Sequence, residues 1–272
     1  MRIGVVAPST RLLPETAERV QAIAASCFSE VELVFHPQCF LSHNHFAGPD
    51  AVRAEAFVEI ADDRDFDALW FARGGYGSCR IAEAVIARLG PAARDKVYLG
   101  YSDAGFLLAG LHRAGFPALA HGPMPQDLRR DGGEAAVARA LGWLARTDRD
   151  ALEPSLADGR PALAFNITVL GHLLGTPLEP DFTGRVLLLE DVAEHLYRTD
   201  RALFHITSSA AVRRCAGIRL GRLSDVPEND RDFGETGEGL ARYWCERAGI
   251  PFLGPADIGH DVANRIVPFA AS

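Results

Sequence analysis

Between Arg2 and Arg146 short apolar, β-prone runs alternate with segments of helical period, and nearly every run ends in a turn rich in Gly, Pro, Ser or Asp. The pattern predicts strands at Arg2–Val6, Val31–Phe35, Asp67–Ala72, Lys96–Leu99 and Ala118–Ala120. Helices are expected from Pro14 to about Cys27, over Ala51–Ala61 with Asp50 as cap, and over Arg80–Leu89, Ala104–Leu111 and Glu134–Arg146. Strands joined through helices pair in parallel, carry helices on both faces and collect ligands at their carboxyl ends. Arg73, Ser102 and His121 all fall at such ends.

Residues 148–160, rich in Asp, Pro and Gly, show no period and read as a linker between a unit spanning 1–147 and one spanning 161–272. The second unit mixes α and β. It opens with a helix-like run from Phe165 to Leu174, then a strand Val186–Leu189 that delivers Glu190 and Asp191. A helix around Asp200–Arg214, a strand Gly217–Leu220 and a helix Gly237–Ala248 follow, and the tail reaches Gly259-His260.

A chain of 272 residues with 48% hydrophobic and 24% charged side chains can bury one large core or two ordinary ones. The net charge of −8 argues against nucleic acid as a partner. The apolar run at the N-terminus is too short for a signal-peptide core and no later stretch could span a bilayer, so a cytoplasmic protein without a membrane partner is expected. Five scattered cysteines with no C-x-x-C pair argue against structural zinc, and His43 and His45 near Asp50 read as surface-loop residues. No metal is expected.

The chemistry concentrates in a few turns. Gly100-Tyr101-Ser102-Asp103 places Ser102 between a strand and a buried helix, where the turn lifts a hydroxyl clear of the sheet and the next N–H can serve as an oxyanion donor. The same residues could equally make a simple helix cap. Arg73-Gly74-Gly75-Tyr76-Gly77-Ser78 is compatible with a phosphate loop, an oxyanion donor for a reaction at Ser102, or a tight turn; it lacks the G-x-G-x-x-G spacing and a Walker lysine. A serine nucleophile needs a base and the base needs a carboxylate. His121 and His260 are the candidate bases, Glu190 and Asp191 the candidate carboxylates.

Taken together, Arg73-Gly74-Gly75-Tyr76-Gly77, Gly100-Tyr101-Ser102-Asp103, His121-Gly122-Pro123, Leu189-Glu190-Asp191 and Gly259-His260 resemble the LD-carboxypeptidase family of serine peptidases. That family includes the muramoyl-tetrapeptide carboxypeptidases and the microcin C immunity hydrolases. The resemblance also takes in Ala7-Pro8-Ser9, Arg53, Asn166, Leu173-Leu174-Gly175-Thr176-Pro177 and Tyr197-Arg198-Thr199-Asp200-Arg201. It implies a Rossmann-like N-terminal domain and a smaller α/β C-terminal domain, with the active site in the cleft between them. Ser102 is then the nucleophile, Glu190 the orienting carboxylate and His260 the general base, with the backbone N–H of Asp103 and of Gly74 or Gly75 as the oxyanion hole. Arg73, Tyr76, His121 and Asn166 are the expected substrate contacts.

The implied activity is hydrolysis of an amide between an L-centre and a terminal D-amino acid, such as D-alanine on a muropeptide tetrapeptide in cell-wall recycling, by a homodimer without cofactor. The alternatives are an immunity-type hydrolase of peptide–nucleotide conjugates, with Tyr76, Trp244 or Phe165 stacking on the base, and an inert small-molecule binding protein. The chain departs from the family pattern at Ala164-Phe165 and Ala104-Gly105, which bear on the pocket walls.

Overall fold

The computed structural model describes residues 1–269. Its first sheet is formed by β1 (Arg2–Val6), β2 (Glu32–Phe35), β3 (Ala68–Phe71), β4 (Val97–Gly100), β5 (Leu119–His121) and the late strand β10 (Val267–Pro268), in the order β10-β5-β4-β3-β1-β2. All its pairings are parallel except β10 with β5. Helices α1 (Pro14–Cys27), α2 (Asp50–Asp62), α3 (Ala82–Ile86), α4 (Gly105–Arg113) and α5 (Gly133–Arg146) make the crossovers. Every residue of β3 is buried, as a parallel strand covered on both faces must be. Its side chains alternate between two cores, Ala68 and Trp70 into one and Leu69 and Phe71 into the other, the period-two division of a pleated strand.

The second sheet is parallel throughout, in the order β6 (Ala162–Asn166), β7 (Val186–Val192), β8 (Gly217–Ser224), β9 (Phe252–Pro255). Helices α6 (Ile167–Leu173), α7 (Leu196–Ser208) and α8 (Gly237–Ala248) connect its strands. One of the two cores runs without a break from β3 and β4 through α4 into β6 and β7, so the sheets share apolar packing. After the second sheet the chain crosses back to lay β10 on the edge of the first. Nothing in the sequence announces this closure, because two residues carry no periodic signal.

Local expectations change where long-range bonds intervene. The helix expected over Arg80–Leu89 shrinks to α3, because the N–H of Ser78 donates to Asp103 Oδ2 at 2.8 Å and its hydroxyl to the Asp103 carbonyl, holding Ser78–Arg80 in a tighter turn. Asp50 is the first residue of α2 rather than its cap; its carboxylate binds Arg80 at 2.9 Å, and Arg53. Phe165 and Asn166 end strand β6, and helix begins only at Ile167. Residues 148–160 contain two short 3₁₀ turns and are docked: Leu152 bridges Ile266, and buried Glu153 accepts from Ser155 N–H at 2.9 Å and Asp257 N–H at 3.1 Å. Among the described residues no helix is long and apolar enough to cross a membrane.

Candidate active site

The carboxyl ends of β3 and β4 bring two turns face to face. Ser102 opens a 3₁₀ turn between β4 and α4 with φ of 61°, a left-handed conformation that costs a non-glycine residue roughly 1–2 kcal/mol. Such strain persists where surrounding bonds over-determine it. Here the buried Asp103 carboxylate accepts from Ser78 N–H and from Ser9 Oγ, tying the serine turn to the Gly-rich turn and to the loop after β1. Burial raises the Asp103 pKa and the bonds from Ser9 and Ser78 oppose it. A Cβ on Gly74 would lie 2.8 Å from Ser102 Oγ and 3.5 Å from the Asp103 nitrogen, so the glycine backbone faces the hydroxyl at contact distance. Gly75 has φ of 109° and would press a Cβ to 2.6 Å from Thr10 Oγ1, while Thr10 Oγ1 donates to the Gly74 carbonyl at 2.9 Å.

The second sheet and the loop that leaves it supply the ionisable pair. Glu190, fully buried in β7, stands 2.5 Å from His260 Nδ1, across seventy residues of sequence. Burial of His260 disfavours its charged form, but the Glu190 charge and hydrogen bond outweigh this and raise its pKa above 6.5. Gly221 lets β8 pass close by, since a Cβ there would meet Glu190 Cβ at 3.1 Å and the Ile258 carbonyl at 2.6 Å. The ring of Tyr101 lies 4.7 Å from that of His260, and its hydroxyl donates to Asp127 Oδ1 at 2.7 Å. His260 thus meets the Ser102 turn through the residue next to the serine. Among the described residues Ser102 Oγ and His260 form no hydrogen bond; such contacts commonly close only with substrate in place.

His121, the other candidate base, is also buried against Tyr101, with rings 5.4 Å apart. Neither of its ring nitrogens has a partner among the described residues, and burial pushes its pKa down to about 4. It is neutral at neutral pH and has no carboxylate to orient it. Asp191, the other candidate carboxylate, accepts from Asn166 Nδ2 at 2.7 Å and Thr168 Oγ1 at 3.1 Å; burial, with a smaller effect from Glu190, pushes it up to about 6. Asn166 also caps α6, its Oδ1 accepting from Val169 N–H at 3.0 Å.

A cavity of about 620 Å³ opens on Ser102, walled by Gly75, Tyr76, Ser102, Asn166 and Asp191 among others, while Glu190, His260 and His121 are buried behind its wall. Tyr76 is half exposed there and packs 6.0 Å from Phe46 and from His45. Arg73 lies outside the wall: its Nη1 donates to the Arg11 carbonyl at 3.1 Å, and its buried Nε has no partner among the described residues. Of the other aromatic candidates, Phe165 is buried against Phe269 and Trp244 packs on Phe204 at 5.1 Å while donating to Asp200, so only Tyr76 reaches the cavity. No group of three or more His, Cys, Asp or Glu suited to a metal exists among the described residues.

Some supporting residues take their role only from the tertiary structure, Arg53 among them although the family resemblance includes it. The guanidinium of fully buried Arg53 donates to the carbonyls of Gly77 at 3.0 Å, Gly48 at 3.3 Å and Pro8, drawing three loops together. The His260 loop is held by Asn264 Oδ1, which accepts from Gly259 N–H at 3.2 Å, and by Arg139 of α5, which donates to the carbonyls of Val262 at 2.8 Å and Asn264 at 3.0 Å. Arg222 binds Asp257 at 2.5 Å and Asp261. No local pattern marks the long-range partners among these, such as Arg53 with Pro8 and Arg139 with Val262.

Comparison with known proteins places the chain. Residues 3–122 match the LD-carboxypeptidase N-terminal domain and residues 161–272 the LD-carboxypeptidase C-terminal domain. A murein tetrapeptide carboxypeptidase of Pseudomonas aeruginosa is 27% identical over 98% of this chain and 91% of its own length. Among solved structures, the muramoyltetrapeptide carboxypeptidase of Oxalobacter formigenes superposes with a TM-score of 0.80 at 23% identity, covering 99% of this chain and 93% of that one. The MccF protein solved with glutamyl sulfamoyl guanosine gives 0.78 at 15% identity, covering 99% and 91%. Those two likenesses establish a shared two-sheet fold, and the matched domains cover most of the sequence in the same order. The chain belongs to the LD-carboxypeptidase family.

Proposed function

We propose that this protein is a serine LD-carboxypeptidase that removes a terminal D-amino acid from a peptide whose preceding residue is an L-centre, with a murein tetrapeptide ending in D-alanine as substrate. The single observation that carries the reading is the buried Glu190–His260 pair, packed through Tyr101 onto a serine held at φ of 61°. In this reading Ser102 Oγ attacks the scissile carbonyl and His260 takes the proton. Glu190 holds His260 by Nδ1, leaving Nε2 for the serine, and stabilises the imidazolium that forms. The developing oxyanion is met by the N–H of Asp103 and an N–H of the Gly74–Gly75 turn, pre-aimed donors in a partly desolvated site. His260 then gives that proton to the amine nitrogen of the departing D-amino acid as the amide C–N bond breaks, and a water that His260 deprotonates hydrolyses the acyl-enzyme, the proton returning to Ser102 Oγ.

The lobes 1–147 and 161–272, linked by 148–160, are both needed, since the serine and its base lie on opposite sides of the cleft. The name of the Pseudomonas relative supports the murein assignment. The immunity-type reading is less well supported, because the MccF likeness is one of fold at 15% identity against 27% for the Pseudomonas carboxypeptidase; Tyr76 is the aromatic candidate that could stack on a base there. A cytoplasmic homodimer belongs to the same proposal; half-exposed Phe204 and Tyr243, both packed on Trp244, offer an apolar surface for it, which light scattering would test. The decisive experiment is mass spectrometry of products from a panel of muropeptides and peptide–nucleotide conjugates, together with fluorophosphonate labelling at Ser102. A folded protein that is neither labelled nor able to release D-alanine would overturn the proposal.

A further inference from the structure

Among the described residues the cavity at Ser102 carries Glu83, Asp103, Asp191 and Glu194 in its wall and no arginine or lysine. A carboxylate entering it would face these four acidic side chains with no permanent cation in the wall to offset them. Yet a peptide cleaved at its carboxyl end brings at least one carboxylate with it. Opposite charge is found in an adjoining hollow of about 410 Å³, which shares Thr168, His172 and Glu194 with the first and is walled by Arg198 and Arg201 of α7. These arginines are three residues apart on one helical face, with His205 four further on. Arg198 lies 3.5 Å from Glu194, at the junction of the two hollows. Arg201 is exposed, stands over the Tyr197 ring at 5.7 Å, and forms no ion pair among the described residues.

We propose that the Arg198–Arg201 hollow is a carboxylate subsite continuous with the hydrolytic cavity, and that Arg201 is its principal ligand. The inference rests on the hydrolase reading above and adds the charge specificity of that site. A guanidinium presents paired N–H donors to the two oxygens of a carboxylate, which an ammonium cannot match in geometry. Glu194 draws Arg198 toward the cavity and leaves Arg201 as the uncommitted cation. The hollow accepts either of two carboxylates on the peptide, the terminal one or that of an acidic side chain nearer the amino end.

The test uses binding, so that it does not depend on turnover. Calorimetry on the Ser102→Ala protein would compare a tetrapeptide containing glutamate and ending in D-alanine with its C-terminal amide and with its glutamine counterpart. Amidation of one of the two groups should weaken binding roughly tenfold or more, the scale of one charge-assisted hydrogen bond. Arg201→Ala in that background should weaken the acid by a similar factor and erase the difference on amidation, with Arg201→Lys intermediate. Which amide matters identifies the carboxylate. An unchanged Kd for the acid in Arg201→Ala, and again in Arg198→Ala/Arg201→Ala, would overturn the subsite. If the preference follows Arg201 but wild-type protein hydrolyses no peptide, the subsite stands and the reaction assignment falls. If hydrolysis is normal and the Kd unchanged, the reaction assignment stands and the subsite falls.

Discussion

Substituting Gly74 by alanine tests the active-site geometry most directly. The added methyl would lie 2.8 Å from Ser102 Oγ and 2.9 Å from Ser102 Cβ, about 0.7 Å inside the ~3.5 Å at which non-bonded atoms settle. Ser102 cannot simply retreat, because its turn is tied through Asp103 to Ser78 and Ser9. The hydroxyl must therefore rotate or the two turns must part, and the same movement displaces the Asp103 N–H from its proposed place at the oxyanion. A misplacement approaching 1 Å in an attacking group costs on the order of 100-fold in rate. Gly74→Ala should thus lower kcat about 100-fold and slow fluorophosphonate labelling in parallel. Its thermal stability should fall by no more than about 1–3 kcal/mol, the usual cost of overpacking. Gly75→Ala is the contrast: φ of 109° and a 2.6 Å approach to Thr10 make it chiefly a folding defect. Wild-type kcat in a folded Gly74→Ala protein would refute the placement of Ser102 against the Gly-rich turn as the site of reaction.

The remaining expectations concern the ionisable groups and the substrate. Ser102→Ala and His260→Ala should each lower kcat by about 10⁴-fold or more, with little added in the double variant, whereas His121→Ala should cost less; a dead His121→Ala beside an active His260→Ala would reverse the choice of base. The acid limb of kcat/KM should titrate above the ordinary histidine value of 6.5, because in the proposed mechanism His260 must lose its proton to act, and Glu190→Gln should move that limb to lower pH by removing what raises it. The stabilisation from that raised pKa is full below 6.5 and is lost as pH climbs through the folded value, so activity should rise as this contribution to stability declines. Activity should survive EDTA, and a tetrapeptide ending in D-alanine should be cleaved where its L-alanine epimer is not; equal rates on the two epimers would remove the LD assignment.

What is legible in the chain and what is not divides by range. The sequence by itself determined β1, α1, α5 and α8 almost to the residue, because their signals are local. α8 begins where Thr236 Oγ1 accepts from Gly239 N–H at 3.1 Å and ends at Gly249 with φ of 70°, a cap and a stop written in adjacent residues. The Ser102 turn is visible for the same reason, an apolar strand meeting a buried helix through a single Gly-containing turn. The spacing of motifs along the whole chain then carries the family, and the family carries the choice of Glu190 and His260 over Asp191 and His121. The tertiary structure alone decided which of these groups meet. Glu190 reaches His260 across seventy residues, Arg139 holds the His260 loop from the other lobe, β10 returns to the first sheet, and Arg201 faces a hollow that Arg73 does not enter. Periodicity and capping act within a few residues. Which carboxylate faces which histidine, and where an unpaired cation points, depends on how the edges of two sheets abut, and no window of neighbouring residues encodes that.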